Sequence, residues 1–194
     1  MPLPILTSAP PMVVDVVCAA PKFARSEEYS VMNNATVHRR VGLRGDVETL
    51  GSCLLERGAI LRGDIAKITL YNCVVIEDDV IVKPPLRVEP NRNIEAVKVT
   101  IGTHSSIGKR TVCEAQSIGA FVVIEKDCCI GALSVIGHGA WIRRGSVVPA
   151  GVVVEPFFVY EGNPIQPVGR LQPESHALYV KELQNQRMQS LIIG

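Results

Sequence analysis

Aromatic rings, paired cysteines and long apolar runs are what this sequence has least of. Aromatics make up 5% of the chain, too few for a core built on stacked rings. No apolar run reaches the roughly 18 residues of a membrane helix. The six cysteines (18, 53, 73, 113, 128 and 129) form no CxxC pair and no zinc-like spacing, and the neighbours Cys128 and Cys129 would not bond to each other easily. They read as reduced thiols of a cytoplasmic protein. Net charge is +1, with Lys and Arg spread along the chain, so the basic stripe of a nucleic-acid binder is missing. The apolar stretches at 12–20 follow no basic residue, are broken by Asp15 and have prolines at 2, 4, 10 and 11. A secretory signal has the opposite pattern. Residues 1–24 are read as a poorly ordered extension.

What the chain does have is β-branched aliphatic residue. It holds 27 Val and 17 Ile among 194 residues. So much branching with so few rings points to many narrow strands in one domain with an appendage. A repeat organises them. Stepping by six from Ile118 meets Ile124, Ile130, Ile136, Ile142, Val148 and Val154, without a break. Four places beyond each stand Val122, Cys128, Ser134, Ala140, Ser146, Val152 and Phe158, six of them small. Glycine follows the aliphatic residue at 119, 131 and 137, which suggests turns with positive φ at those places. The same frame covers Ile101, Ile107 and Cys113, then reaches Ile118 by a step of five; Leu70, Ile76 and Val82 form an earlier piece, with Ile68, Val74 and Val80 two places before them. Between 35 and 64 the period is looser.

A period of six is neither helical nor simple alternation. It fits a coil with three flat faces, about eighteen residues per turn, whose stacked turns lie about 4.8 Å apart as parallel strands. The aliphatic residues become an internal ladder and the small residues fit where faces meet. The expected architecture is all-β, a parallel β-helix shaped as a triangular prism over 25–163, with a C-terminal α-helix. Residues 83–98 carry three prolines, two lysines, two arginines and no hexapeptide, and are expected to protrude from one corner. Gly162-Asn163-Pro164 ends the repeat. Residues 164–172 read as a linker within a 164–194 tail, and Pro173-Glu174-Ser175 suits a helix start. Val180, Leu183, Arg187 and Leu191 share a helical face, with Ala177 and Met188 nearby. That face is expected to fold back along the prism, the alternative being a free helix that docks on a partner.

Prisms of this kind include acyltransferases and γ-class carbonic anhydrases, both dependent on histidine. Leu61-Arg62-Gly63-Asp64-Ile65 resembles the Arg-Gly-Asp coil of the anhydrases. The places of their three zinc histidines hold Lys83, Lys109 and Glu114, and two ammonium groups with one carboxylate cannot replace three imidazoles around zinc. An acyltransferase needs one histidine as general base. His138 is the best candidate of His38, His104, His138 and His176, yet no acid stands beside it. Residues eighteen away are Ala120 and Pro156, so a solvent-facing role is preferred. No catalytic, cofactor or metal residue is assigned. Arg62 and Asp64 are expected to form a structural or inter-subunit ion pair rather than an adhesive motif.

The order of these features resembles the dynactin subunit 5 family. The resemblance rests on Glu28-Tyr29, on Ile60-Leu61-Arg62-Gly63-Asp64-Ile65-Ala66, on Val82-Lys83-Pro84-Pro85-Leu86 (Leu86 replacing a ring), on Glu114-Ala115-Gln116-Ser117-Ile118-Gly119, on Pro156-Phe157-Phe158-Val159-Tyr160 and on Gly162-Asn163-Pro164. It implies a left-handed winding and a non-catalytic scaffold, cytoplasmic and cytoskeleton-associated. It also implies pairing with the β-helical dynactin subunit 6, and contact with dynactin subunit 4 and an actin-related protein at the filament pointed end. Dynein adaptors and cargo would be reached indirectly, and the chain alone could self-associate. The alternative is an acyltransferase-like or anhydrase-like homotrimeric enzyme. Candidate partner contacts are Arg62, Asp64, Lys83, Pro84, Pro85, Leu86 and Arg87.

Overall fold

The computed structural model describes residues 35–90 and 92–190. The extension expected over 1–24, the Glu28-Tyr29 pair and Leu191 lie outside the described residues, as does the side chain of Met188. The chain forms a left-handed parallel β-solenoid of about 7 turns followed by one helix. The first face stacks Thr36–Val37, Leu54–Leu55, Val75–Ile76, Ser106–Ile107, Val123–Ile124, Trp141–Ile142 and Phe158–Gly162. The long strands Gly42–Thr49 and Ile60–Leu70 bend across a corner and serve two faces. Their unbroken run accounts for the loose period before residue 64. The second face continues from them through Ile81–Val82, Val112–Cys113, Cys129–Ile130 and Val147–Val148; the third continues through Val99–Ile101, Ser117–Ile118, Val135–Ile136 and Val153–Val154.

Register confirms the hexapeptide arithmetic. Ile118 pairs with Ile136 and Ile136 with Val154, while Ile124 pairs with Ile142 and Ile130 with Val148. The five-residue step after Cys113 shortens one coil, so Ile107 pairs with Ile124 and Cys113 with Ile130. Leu55, Leu61, Ile68, Leu70, Ile76, Ile101, Ile107, Ile118, Ile124, Ile130, Ile136 and Ile142 are the largest fully buried side chains. They form the expected column, and burying each contributes on the order of 2 kcal/mol. Small residues sit beside it with their polar atoms satisfied. The Ser105 hydroxyl donates to the Gly119 carbonyl at 2.7 Å, and the Ser134 hydroxyl to the Gly131 carbonyl at 2.8 Å.

The corners correct one expectation. Positive φ falls three places after the ladder residue, at Cys73, Asp79, His104, Arg110, Phe121, Asp127, Leu133, Gly139, Gly145, Gly151 and Phe157, and not at Gly119, Gly131 or Gly137. Those glycines answer to crowding instead. A Cβ on Gly131 would lie 2.6 Å from the Ala150 backbone nitrogen, and one on Gly137 2.6 Å from that of Pro156. The coil above passes too close for any side chain.

Two segments are more ordered than the sequence suggested. Within 83–98, Leu86–Val88 and Ile94–Ala96 pair as an antiparallel hairpin. Of the stretch read as linker, Ile165–Arg170 is a strand that folds back antiparallel onto Phe158–Gly162. The turn at Asn163-Pro164 is tight enough to return the chain beside itself, so the last edge of the first face is paired. Helix α1, Pro173–Ser190, then lies against the first face. It buries the outward residues there: Val75, Ser106, Val123 and Val159 are all buried although their side chains point away from the ladder. The docked face differs from the expected one. Val180 is fully buried, but its buried companions are His176 and Gln184. Leu183 and Ala177 are only partly covered.

Candidate functional site

The candidate contact residues gather at the corner that follows the second face, where Leu61, Val82 and Cys113 stand in register. Arg62 and Asp64 make a two-pronged ion pair, Nε to Oδ1 at 2.8 Å and Nη2 to Oδ2 at 2.9 Å. The Arg62 guanidinium holds the Asp64 carboxyl below the usual carboxylate range. The two side chains satisfy each other within the chain, an ion pair of the expected kind. Lys83 Nζ reaches Glu114 Oε1 at 3.1 Å, and Arg87 Nη2 donates to Gln116 Oε1 at 2.8 Å. These bonds fasten the base of the hairpin to the neighbouring coil.

Pro84 and Pro85 are buried, contrary to their expected role at a contact surface. They carry the chain out of the corner and present little to a partner. Leu86 and Arg87 remain exposed. Strand alternation assigns the hairpin's faces. Leu86, Val88, Ile94 and Ala96 share one side, and Arg87 with Glu95 the other. Because Arg87 is tied to Gln116 on the prism, the apolar side turns away from it. Val88 and Ile94 are each 69% exposed and Leu86 51%. Sequence reading missed Val88 and Ile94; the signal was their alternation with Arg87 and Glu95.

The three places corresponding to the anhydrase zinc ligands are tied up in salt bridges. Lys83 pairs with Glu114, and Lys109 Nζ meets Asp78 Oδ2 at 2.9 Å. Among the described residues no group of three or more His, Cys, Asp or Glu side chains could hold a metal ion.

The histidines have local partners. His138 is exposed, and its Nδ1 accepts the backbone N–H of Ala120 at 2.9 Å. Ala120, eighteen residues back, has no useful side chain, yet its backbone orients the ring. This bond assigns the proton of the neutral imidazole to Nε2. A general base working through Nε2 needs the opposite tautomer, with Nδ1–H given to an acceptor. His38 Nδ1 accepts the Arg40 N–H at 3.2 Å. His104 and His176 serve the helix. His104 Nδ1 lies 2.9 Å from Gln184 Oε1, and its ring stacks on Phe121 at 5.2 Å. His176 Nε2 donates to the Phe121 carbonyl at 2.9 Å. Tyr179 stacks on Trp141 at 5.7 Å, Lys181 sits over Phe121 at 5.7 Å, and Arg187 pairs with Glu77. None of these helix contacts, which join residues 38 to 110 positions apart, has a local sequence signal.

The profile of the family described as dynactin subunit 5 matches residues 20–191, the prism, the hairpin and the helix together. The chain belongs to the dynactin subunit 5 family. No curated protein matches it in sequence. Among solved structures it is similar to a hexapeptide transferase family protein from Anaplasma phagocytophilum, with 20% identity, a TM-score of 0.64, and coverage of 81% of this chain and 90% of that one. It is also similar to a putative acetyltransferase from Bacillus cereus, with 20% identity, a TM-score of 0.62, and coverage of 85% and 91%. At such identity the likeness establishes the shared solenoid and no activity. Membership of the dynactin subunit 5 family also agrees with the ordered motifs from the Arg-Gly-Asp coil to Gly162-Asn163-Pro164. No described helix is long and apolar enough to cross a membrane.

Proposed function

We propose that the chain is a non-catalytic structural subunit of dynactin, acting at the pointed end of the actin-related filament. The observation that carries this reading is the family match across residues 20–191. The geometry supports it. A rigid prism with an aliphatic interior offers shape, and its zinc-ligand positions are occupied by ion pairs. The tautomer assigned to His138 is unsuited to acyl transfer through Nε2. The contacts are made by the outward apolar side of the hairpin and by the flat sides of the prism, while Arg87 on the hairpin's other side holds it to Gln116. The partners are the β-helical dynactin subunit 6, dynactin subunit 4 and an actin-related protein, with dynein adaptors and cargo reached indirectly. In this role the chain is cytoplasmic and cytoskeleton-associated. The C-terminal end of the prism is a poor contact surface. Pro149 and Pro156 lack N–H donors, the Glu155 N–H is given to the Tyr160 hydroxyl at 3.1 Å, and the closing hairpin covers the first face.

Co-expression of the chain with the three dynactin partners tests the reading. The wild-type chain is expected to co-purify with them, and Leu86→Asp with Val88→Asp to lose that recovery while keeping its fold. Recovery undiminished by the double change would remove the hairpin from the interface. Failure of the wild-type chain to recover any of the partners would sink the dynactin assignment. Turnover of acetyl-CoA that is lost in His138→Ala would replace it with the enzyme reading.

A further inference from the structure

The three outward faces of the prism differ in a way the fold does not require. On the first face the outward column includes Leu54, Val75, Ser106, Val123 and Val159, and all five are buried, the later ones beneath α1. On the third face the column runs Thr69, Thr100, Ser117, Val135, Val153; the Thr100 hydroxyl donates to that of Ser117 at 3.3 Å, and Val153 at the end is 70% exposed. The hydroxyls suit the first three places to water, so only two apolar places stand together there. The second face has neither a cover nor hydroxyls. Ile60, Ile81, Val112, Cys129 and Val147 stand in register on successive coils. Their neighbours Leu61, Val82, Cys113, Ile130 and Val148 fill the core, so alternation turns this second column outward. Ile60 and Val112 are each 37% exposed, and Cys129 is exposed.

Four steps of about 4.8 Å make this stripe about 19 Å long, the length of roughly 13 helical residues. Its flank toward the first face is charged, and the charges are unevenly paired. Lys109 is held by Asp78, Arg110 by Asp127 at 2.7 Å, and Arg143 lies 3.9 Å from Glu125 and over the Trp141 ring at 5.4 Å. Lys126 and Arg144 occupy the same place on successive coils, both exposed, and neither side chain forms an ion pair among the described residues. Two cations stacked one coil apart repel each other unless an anion joins them.

We propose that the second face binds an amphipathic α-helix of a partner protein, aliphatic along the stripe and acidic along the edge that meets Lys126 and Arg144. The chain itself supplies the precedent. Helix α1 covers the equivalent column of the first face, burying Val180 there and reaching the flanks through His176, Gln184 and Arg187. Charge complementarity then favours acid on the incoming helix. This inference rests on the chain being a binding subunit and deepens that reading: it singles out one flat side, apart from the hairpin, and names a helix as its occupant.

The test uses the full chain and a fluorescein-labelled designed 18-residue helical peptide. It has Leu at positions i, i+4, i+7 and i+11 and Glu along one flank; a control carries Lys on that flank. In low salt the acidic peptide is expected to bind at least about tenfold more tightly by fluorescence anisotropy. Lys126→Glu with Arg144→Glu should reverse the preference, and Val112→Asp should abolish binding with an unchanged thermal melt. If Val112→Asp fails to fold, Cys129→Asp on the same stripe takes its place. Equal binding of both peptides, no binding of either, or binding that survives the aspartate would overturn the proposal. So would a self-associating wild-type chain made monomeric by Val112→Asp, because the occupant would then be a second copy. No dynactin component enters this assay, so its failure and that of the co-expression experiment are distinguishable.

Discussion

Gly131 and Gly151 are both corner glycines, but the structure requires them for opposite reasons, and replacing each with alanine separates the two. At Gly131 the backbone is ordinary, while the added Cβ would lie 2.6 Å from the Ala150 nitrogen. Ordinary contact starts at 3.4 Å, so adjacent coils must separate by about 0.8 Å there. The bonds from Gly131 N–H to the Val148 carbonyl and from Gly151 N–H to the Ala132 carbonyl, both 2.8 Å, flank the contact. Lengthened by that amount they cease to be hydrogen bonds, at about 1 kcal/mol each. Lost packing between Ile130 and Val148 adds to this, and reduced freedom of the unfolded chain returns about 0.5 kcal/mol. Gly131→Ala should therefore cost about 2–3 kcal/mol. Gly151 has φ +71°, and an added Cβ there would find nothing within 4 Å. Alanine at that corner meets only the left-handed backbone penalty, about 1 kcal/mol, and Leu133 and Phe157 already tolerate that conformation. Urea unfolding followed by circular dichroism measures both. Equal costs, or a larger cost at Gly151, would refute the account of coil crowding.

Further outcomes follow from the same contacts. Ile130→Ala, in the middle of the ladder, should cost about 2–5 kcal/mol and Ile130→Val about 1 kcal/mol, read from urea midpoints; a smaller loss for alanine than for valine would contradict a packed column. Burial pushes the Cys113 thiol up to about 12 and those of Cys53 and Cys128 up to about 11. At pH 8 the exposed Cys129 should react with a maleimide within minutes and these three only on unfolding, as peptide mass mapping would reveal. Arg62→Ala should let the Asp64 carboxyl rise toward its ordinary value, because the guanidinium that lowers it is gone. The folded-state value being lowered, the pair's stabilisation is present above the unfolded value and lost as pH falls through the folded one. Carboxyl NMR titration measures the shift, and an unmoved Asp64 would show the pair to be inert. Truncation after Gln172 should uncover Val75, Val123 and Trp141 and raise binding of a hydrophobic dye, whereas an unchanged signal would mean α1 covers little.

The interior of this protein is written along the chain. Ladder residues six apart point the same way whichever coil they belong to, so Ile118 to Val154 could be placed without knowing their neighbours. The protruding segment and the terminal helix also announced themselves, through interruption of the period and through an N-terminal proline. Contacts between coils decided the rest. Gly131 and Gly137 look like turn residues until the coil eighteen residues on is laid over them. Pro84 and Pro85 look like surface until the corner closes around them. The imidazole of His138 is set by the backbone of Ala120, and α1 docks through His104 and Glu77, about 80 and 110 residues away from their partners. A local pattern records which way a side chain points; what it meets there depends on the stacking of distant segments, and that is settled only when the chain has wound.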